Sequence, residues 1–453
     1  MKLKINDKLI YIIFEDKQEE KLIDKFLTYE DLSKAFSSNG YNPMYVQKKH
    51  LGKMIKGIFI CYAGFGREIL KYCKEMEIRI TEFKDERTKF DFKKDELNLR
   101  SFFDPKHKYV EHQMRALDAM IKTNTGIIKA TTSAGKSSVI SAYIRATKMP
   151  TLIVVDKVTL AQQIQEKLVN DGIDCGICSG QGYKSGECIV STVQSVKKVT
   201  DLIRYKCLII DEVHKSSSAN FQEFLGSISY PYKFGFSATP YNGSDYRFAL
   251  IRQFFGSIIE EINAEELMEN GVIAIPDINF IPVDCPNTMD WQSAYEQCIV
   301  YNKERNKKIL ELVQKAEIEG LQTLILIKII EHGEALKLVL PDAVFVNGKD
   351  TPPKERMKVI EEFEKGNIRT IISSNIFNEG ISISNINVLI IASGGKGLAE
   401  TSQKLGRALR ITDTKKTALV YDFFDVGNKF TEKHSKRRAS IYKKTGFKVS
   451  VLK

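Results

Sequence analysis

Short apolar runs rich in β-branched residues occur in two successive series along this chain, and that recurrence limits its possible folds more than any single motif. The first series is Gly126-Ile-Ile-Lys-Ala130, Leu152-Ile-Val-Val-Asp156, Cys188-Ile-Val-Ser-Thr192, Leu208-Ile-Ile-Asp-Glu212 and Lys233-Phe-Gly-Phe-Ser237. Segments with amphipathic helical spacing separate them. Strands buried on both faces read as near-continuous apolar runs, and helical crossovers cover those faces, so the series predicts a parallel sheet. The pattern returns in Thr323-Leu-Ile-Leu-Ile327, Ala343-Val-Phe-Val-Asn347, Arg369-Thr-Ile-Ile-Ser373, Val388-Leu-Ile-Ile-Ala392 and Thr417-Ala-Leu-Val-Tyr421. The expected architecture is α/β, with two tandem parallel-sheet domains over 101–265 and 266–430. Ligands of such sheets bind outside the carboxyl ends of the strands.

Residues 1–100 carry no phosphate-binding signal. Gly57-Ile-Phe-Ile-Cys-Tyr62 and Ile78-Arg-Ile-Thr-Glu-Phe83 read as strands, and Gly66 to Lys74 as a helix. They predict a small α+β accessory domain, a candidate for nucleic-acid binding, with the charged stretch Lys84 to Arg100 as its linker. Residues 431–453 read as a basic C-terminal extension. The segment Lys429 to Lys448 is either an electrostatic track for a polyanion or a solvated helix.

A chain of 453 residues suggests about two to four domains. Its net charge of +11 suits a polyanionic partner, although a generally basic soluble protein has the same balance. The eight cysteines are scattered. Cys175 and Cys178 form the close pair, and without a second pair at zinc-site spacing they read as reduced thiols rather than metal ligands. No apolar run reaches membrane-span length, and Met1-Lys-Leu-Lys-Ile-Asn-Asp-Lys8 is not followed by a signal-type stretch. A cytoplasmic protein without a membrane partner, monomeric or weakly associating, is expected.

Motifs fall at the strand ends in a fixed order. Ala130-Thr-Thr-Ser-Ala-Gly-Lys-Ser137 follows a strand and precedes an amphipathic segment. In that context backbone N–H groups of Thr132, Ser133, Ala134 and Ser138 can face phosphates, Gly135 permits close approach, Lys136 supplies a cation and Ser137 can ligate Mg²⁺. Ala130 replaces the usual first glycine, and an ordinary glycine turn is the plain alternative. Next, Leu208-Ile-Ile-Asp-Glu212 ends a strand with adjacent carboxylates. Strand alternation sends neighbours to different sides, so Asp211 can hold the Mg²⁺ shell while Glu212 orients and deprotonates a water. Solvated acids in a turn are the alternative. His214 is placed to link this site to Ser237-Ala-Thr-Pro240, with Ser237 and Thr239 in the coupling loop. Gln113, in Tyr109-Val-Glu-His-Gln113, can read an adenine edge because its amide both donates and accepts.

Gln403-Lys-Leu-Gly-Arg-Ala-Leu-Arg410 places Arg407 and Arg410 three residues apart, on one face of a helix. Guanidinium groups stay charged and bind phosphate bidentately, so this pair is expected to meet the γ-phosphate. The set as a whole points to ATP hydrolysis with Mg²⁺, coupled to movement on nucleic acid.

These motifs resemble those of the superfamily 2 helicases of the DExH type, and within them the bacteriophage UvsW-like branched-DNA helicases and their relatives near XPB. Further support comes from Ile330-Glu-His-Gly333, Phe377-Asn-Glu-Gly-Ile-Ser-Ile383, Tyr421-Asp-Phe-Phe-Asp425 and His434-Ser-Lys-Arg-Arg438. The resemblance spans about residues 105–450; Phe65 to Cys73 extends it faintly into the accessory domain. It implies RecA-like domains, a nucleotide contact at Gly380, a catalytic role for Gln403, and a 3′-to-5′ DNA motor on forks, Holliday junctions and R-loops. The implied partners are single-stranded and branched DNA, with RNA in R-loops. For a phage-encoded chain the implied location is the host cytoplasm. Ser382 stands where many relatives have aspartate, and Asp156-Lys157-Val158-Thr159 replaces a usual Pro-Thr. Strand contacts are expected at Lys157, Thr159, Gly180, Thr192 and Gln194, and at Gly348, Lys349 and Ser374, on the face away from ATP. Small polar groups and amides there bind phosphate and sugar without reading sequence. An RNA helicase and a duplex translocase without strand separation remain alternatives. Glu82-Phe-Lys84 mimics the E-x-K of metal-dependent nucleases but lacks a well-spaced aspartate.

Overall fold

The computed structural model describes residues 1–37, 40–89, 97–106, 109–131, 133–241, 244–374, 386–395 and 417–452. The chain divides into two compact units, Met1–Ile262 and Asn263–Lys453.

The first unit is built on an eight-stranded sheet. Its spatial order is Gly182–Lys184, Cys175–Ser179, Cys188–Thr192, Thr151–Val155, Cys207–Asp211, Tyr232–Ser237, Thr125–Ala130 and Ile258–Ile262. All neighbours pair in parallel except the edge strand Gly182–Lys184. The apolar runs of the first series became its central strands, and Thr151–Val155, Cys188–Thr192 and Cys207–Asp211 are buried along their whole length. Helices on the faces satisfy that double burial.

The accessory residues form a second sheet, ordered Gly52–Ile55, Ile58–Tyr62, Leu9–Ile13, Lys2–Ile5 and Glu82–Asp85. Period-two alternation is clean here: Leu3, Ile5, Ile10, Ile12, Phe59 and Cys61 are buried, while Lys2 and Lys4 are exposed. The helices Lys17–Phe26 and Gly66–Glu75 cover the apolar face, with Ile23, Ile69 and Cys73 in its core. The last strand starts at Glu82 rather than at the expected Ile78. Ile78 instead caps the preceding helix through its N–H to the Cys73 carbonyl, and parallel pairing with Lys2 begins only at Glu82.

This module does not stand apart as residues 1–100 on a free linker. Ala249, from the helix Asp245–Phe255 of the larger sheet's cover, lies inside the accessory core. Arg252 of the same helix pairs with Glu68 at 2.5 Å, donates to the Tyr29 hydroxyl and lies over the Phe65 ring. A Cβ at Gly64 would meet the Arg252 carbonyl at 2.2 Å, so glycine there allows the two backbones to touch.

The second unit holds a seven-stranded, fully parallel sheet. Its order is Val344–Val346, Thr370–Ser373, Thr323–Leu326, Val388–Ile391, Thr417–Val426, Ile275–Asp284 and Lys448–Val451. The expected α/β class holds for both units. Of residues 431–453, expected as an extension, 431–451 are part of this sheet and its cover. Lys448–Val451 pairs with Ile275–Asp284, and the helix Lys429–Lys444 buries Ser435, Arg438, Ile441 and Tyr442. Arg438 forks onto Asp422 at 2.9 and 3.0 Å, and the Tyr442 hydroxyl donates to the same carboxylate at 2.7 Å. Arg305 pairs with Asp425 in the same core. His332 of the Ile330–Gly333 motif is buried against Asn306, and burial pushes its pKa down to about 3, so it is neutral. Removing one partner of a buried ion pair strands the other charge. Asp422→Ala is therefore expected to lower stability by about 3–5 kcal/mol, measured by urea unfolding of the whole chain.

Candidate nucleotide site

Three adjacent strands, Cys207–Asp211, Tyr232–Ser237 and Thr125–Ala130, end at the same edge of the first sheet. Their registers pair Asp211 with Phe236 and Lys129 with Ser237. The loop after Ala130 turns tightly, with the Ala134 N–H on the Thr131 carbonyl at 3.3 Å. It enters the helix Lys136–Thr147 through Gly135, at φ +76°. A Cβ at Gly135 would also lie 2.1 Å from Gln113 Nε2. The positive φ makes glycine the favoured residue there, and a larger side chain would displace the Gln113 amide. Ala130, at the usual first glycine position, is 1% exposed and ends the buried strand, where a methyl group packs without obstructing the loop.

Lys136 reaches back across this edge. Its Nζ lies 3.1 Å from Glu212 Oε1 and 3.4 Å from Asp211 Oδ1. Burial alone would strip the lysine of its charge, but the two carboxylates hold its pKa above the usual range. Burial raises the proton affinity of Asp211, and the neighbouring Glu212 adds to that. Burial would also raise Glu212, yet Lys136 and His214 outweigh it and hold Glu212 well below the usual carboxylate range.

The expectation that strand alternation separates Asp211 from Glu212 is not met. The strand stops at Asp211, and Glu212 adopts a left-handed backbone, φ +53°. That turn brings both carboxylates onto one lysine. A non-glycine residue held at positive φ carries strain of about 1–3 kcal/mol, which the surrounding structure must sustain. The 3₁₀ turn Val213–Ser217 follows directly. Val213 packs against Gly235, where a Cβ would come within 2.5 Å of it, and Lys215 pairs with Asp156.

His214 Nδ1 lies 2.9 Å from Ser237 Oγ and 3.3 Å from Glu212 Oε2. The Thr239 N–H donates to the same Ser237 oxygen at 3.1 Å. One imidazole therefore connects the carboxylates to the Ser237–Pro240 loop. Gln113, expected at an adenine edge, places its amide on the Ala134 carbonyl at 3.3 Å, beside the His112 ring.

The residues fit a magnesium nucleotide. Ser137 and Asp211 offer the hard oxygen donors that Mg²⁺ prefers, with the helix N-terminus beside them. Among the described residues no group of three or more His, Cys, Asp or Glu forms a metal cage. Mg²⁺ in phosphoryl-transfer sites takes one or two protein ligands, with phosphate and water completing the shell.

The strand-contact candidates of the first unit lie at the carboxyl ends of other strands of this sheet. Lys157 caps the helix Val158–Asn170 and Thr159 sits in its first turn. Gly180 follows Cys175–Ser179, Thr192 is the last residue of Cys188–Thr192, and Gln194 lies two residues beyond it. Their separation from the nucleotide candidates is lateral, along one sheet edge, rather than across opposite faces. Thr192 is buried, while Gln194 is exposed. In the second unit, Gly348 and Lys349 are exposed after Val344–Val346, where Asn347 Oδ1 accepts the Lys349 N–H. Ser374 is buried at the end of Thr370–Ser373. Thr132, Gly380, Gln403, Arg407 and Arg410 lie outside the described residues.

Other candidates are explained by packing. Cys175 and Cys178 are buried free thiols on one strand. Glu82 and Lys84 pair with each other at 2.9 Å, on the accessory sheet. No helix among the described residues is long and apolar enough to cross a membrane. Sequence reasoning missed Gln222 and Gln253, whose amides join the Val213–Ser217 turn to the helix Asp245–Phe255. No local motif marks them, because their partners are distant in sequence.

Residues 106–242 match the family described as Type III restriction enzyme, res subunit, and residues 292–412 match the helicase conserved C-terminal domain. The chain is 24% identical over 410 residues to the DNA 3′-5′ translocase XPB2 of Sulfurisphaera tokodaii, covering 80% of this chain and 89% of that protein. It is 26% identical over 330 residues to the ATP-dependent DNA helicase uvsW of Enterobacteria phage T4, covering 66% of this chain and 65% of that protein. The fold resembles that of S. cerevisiae Dbp5 bound to RNA and ADP BeF3, with a TM-score of 0.55 and 16% identity, over 76% of this chain and 89% of that one.

Proposed function

This chain belongs to the superfamily 2 helicases related to UvsW and XPB and is an ATP-dependent helicase; from that premise we propose that it is a 3′-to-5′ DNA motor that remodels branched DNA, such as forks, Holliday junctions and R-loops. The observation that carries its chemistry is Lys136 held between Asp211 and Glu212 at the end of a phosphate loop.

In this reading the helix N-terminus after Gly135 receives the β- and γ-phosphates, and Lys136 turns from the carboxylates onto them. Magnesium bound with the nucleotide supplies positive charge to the phosphate oxygens; Ser137 and Asp211 hold it. The loss of Lys136 from Glu212 does more than free the lysine. It removes the cation that depresses the glutamate, so Glu212 gains proton affinity when a base is needed to take a proton from water. Arg407 and Arg410 are assigned to the charge that develops on the γ-phosphate, with Gln403 and Gly380 beside them. His214 passes the change to Ser237 and Thr239. The first-unit contacts Lys157, Thr159, Gly180 and Gln194 and the second-unit contacts Gly348, Lys349 and Ser374 hold phosphate and sugar.

DNA rather than RNA is favoured because the curated relatives are named as DNA enzymes. ATPase rates measured with single-stranded, duplex, forked and four-way DNA, and with matched RNA, test the whole reading. Forked or four-way DNA is expected to stimulate most. Equal or greater stimulation by RNA would reject the DNA assignment.

A further inference from the structure

The strained turn that carries Glu212 is tied to the accessory module by a short chain of side chains. Gln222, on the helix Ala219–Ser227, donates from Nε2 to the Ser216 carbonyl at 2.7 Å and to the Leu250 carbonyl at 3.0 Å. Its Oε1 accepts from Gln253 Nε2 at 2.6 Å. Gln253 is only 4% exposed, so this amide pair sits where lost hydrogen bonds go uncompensated by water. Ser216 lies within the turn Val213–Ser217, and its own Oγ donates to the Val213 carbonyl at 2.6 Å. One residue from Gln253, Arg252 reaches Glu68 and Tyr29 of the accessory module. The path therefore runs from Glu68 to Arg252, along the helix backbone to Gln253, through Gln222 to the Ser216 carbonyl, and back along the turn to Glu212; its side-chain hydrogen bonds are half-buried.

Glu212 sits at positive φ, so something must oppose relaxation of its turn. Gln222 holds the far end of that turn to a helix whose other face is fixed in the accessory core. The structure assigns Gln222 as a positioning residue for hydrolysis: it holds the Glu212 turn in register with the helix Asp245–Phe255, so that docking of the accessory module sets the rate of ATP hydrolysis rather than the affinity for ATP. This rests on Glu212 being the hydrolytic carboxylate.

Gln222→Met keeps the volume of the side chain and removes its hydrogen bonds. In the full chain, with magnesium ATP and a saturating single-stranded DNA oligonucleotide, it is expected to lower kcat by about tenfold with KM for ATP changed less than about twofold. Its thermal midpoint is expected to fall, because the Ser216 and Leu250 carbonyls and the Gln253 amide lose their partner, so kcat is compared well below the midpoints of both proteins. Glu68→Gln weakens the accessory end of the path and is expected to lower kcat in the same direction. The double variant is expected to be no slower than Gln222→Met alone, because both act through one path. An unchanged kcat, a kcat loss that disappears at temperatures well below the thermal midpoint, or effects that simply multiply in the double variant would each overturn the assignment. Glu212→Gln separates the two levels. If it turns over normally, the hydrolytic reading fails and this assignment with it; if it is inactive while Gln222→Met runs at the parental rate, only the positioning role fails.

Discussion

Replacing Lys136 with alanine is expected to reduce ATP turnover at least about a thousandfold, the scale on which loss of a preorganised charge at a reacting centre is felt. Nucleotide affinity should fall too, since the same cation faces the phosphates in the ground state. The structure adds a consequence for the protein itself. Lys136 is the cation set against buried Asp211 and half-buried Glu212, so its loss leaves two carboxylates facing each other with little solvent to screen them. Asp211 already has a raised proton affinity from burial, and without Lys136 it rises further. A carboxyl group with a folded pKa above its unfolded value adds stability at low pH and loses it as pH rises through the folded value. Relative to the parent, Lys136→Ala should therefore be less stable at neutral pH, with the gap narrowing as pH is lowered toward 4. Thermal midpoints of both proteins across that range measure it. A gap that does not change with pH would mean that the lysine and the two carboxylates are not coupled as described.

Glu212→Gln is expected to separate binding from chemistry. Glutamine has the shape of glutamate and can still accept from Lys136, but it cannot take a proton from water. A positioned general base contributes roughly 10²–10⁴ in rate, so single-turnover hydrolysis should slow by about a thousandfold while a fluorescent ATP analogue still binds. DNA binding in the presence of ATP should persist, because the protein is held in its ATP-loaded state. Hydrolysis within about tenfold of the parent would place the base elsewhere. Lys136 and His214 hold Glu212 well below the usual carboxylate range, so the parent carries an ionised carboxylate where the variant has a neutral amide.

Much of the nucleotide site could be read from the residues because its logic is local. A loop between a strand and a helix presents its N–H groups wherever the chain goes next, and Gly135 and Lys136 act within that one turn. Asp211 at a strand end was equally readable. Glu212 was not, since alternation along a strand says nothing about the left-handed turn that follows its last residue. The end of the chain was misread for a similar reason. Lys448-Val-Ser-Val451 alternates polar and apolar over only four residues, too short to mark a strand by itself, and pairs in parallel with Ile275–Asp284. Basic residues of the helix Lys429–Lys444 suggested solvation, whereas Arg438 is buried on Asp422.

By itself, the sequence determined the α/β class, the two series of parallel strands and the order of the nucleotide motifs. Buried strands and phosphate loops leave signatures within a few residues, because their hydrogen bonds and burial follow from local spacing. Only the tertiary structure decided that Asp211 and Glu212 converge on Lys136, and that Gln222 joins the Val213–Ser217 turn to the helix Asp245–Phe255. Those contacts join groups from separate elements, and their energies depend on burial and on distances of a few tenths of an ångström, quantities that exist only once the sheets have assembled.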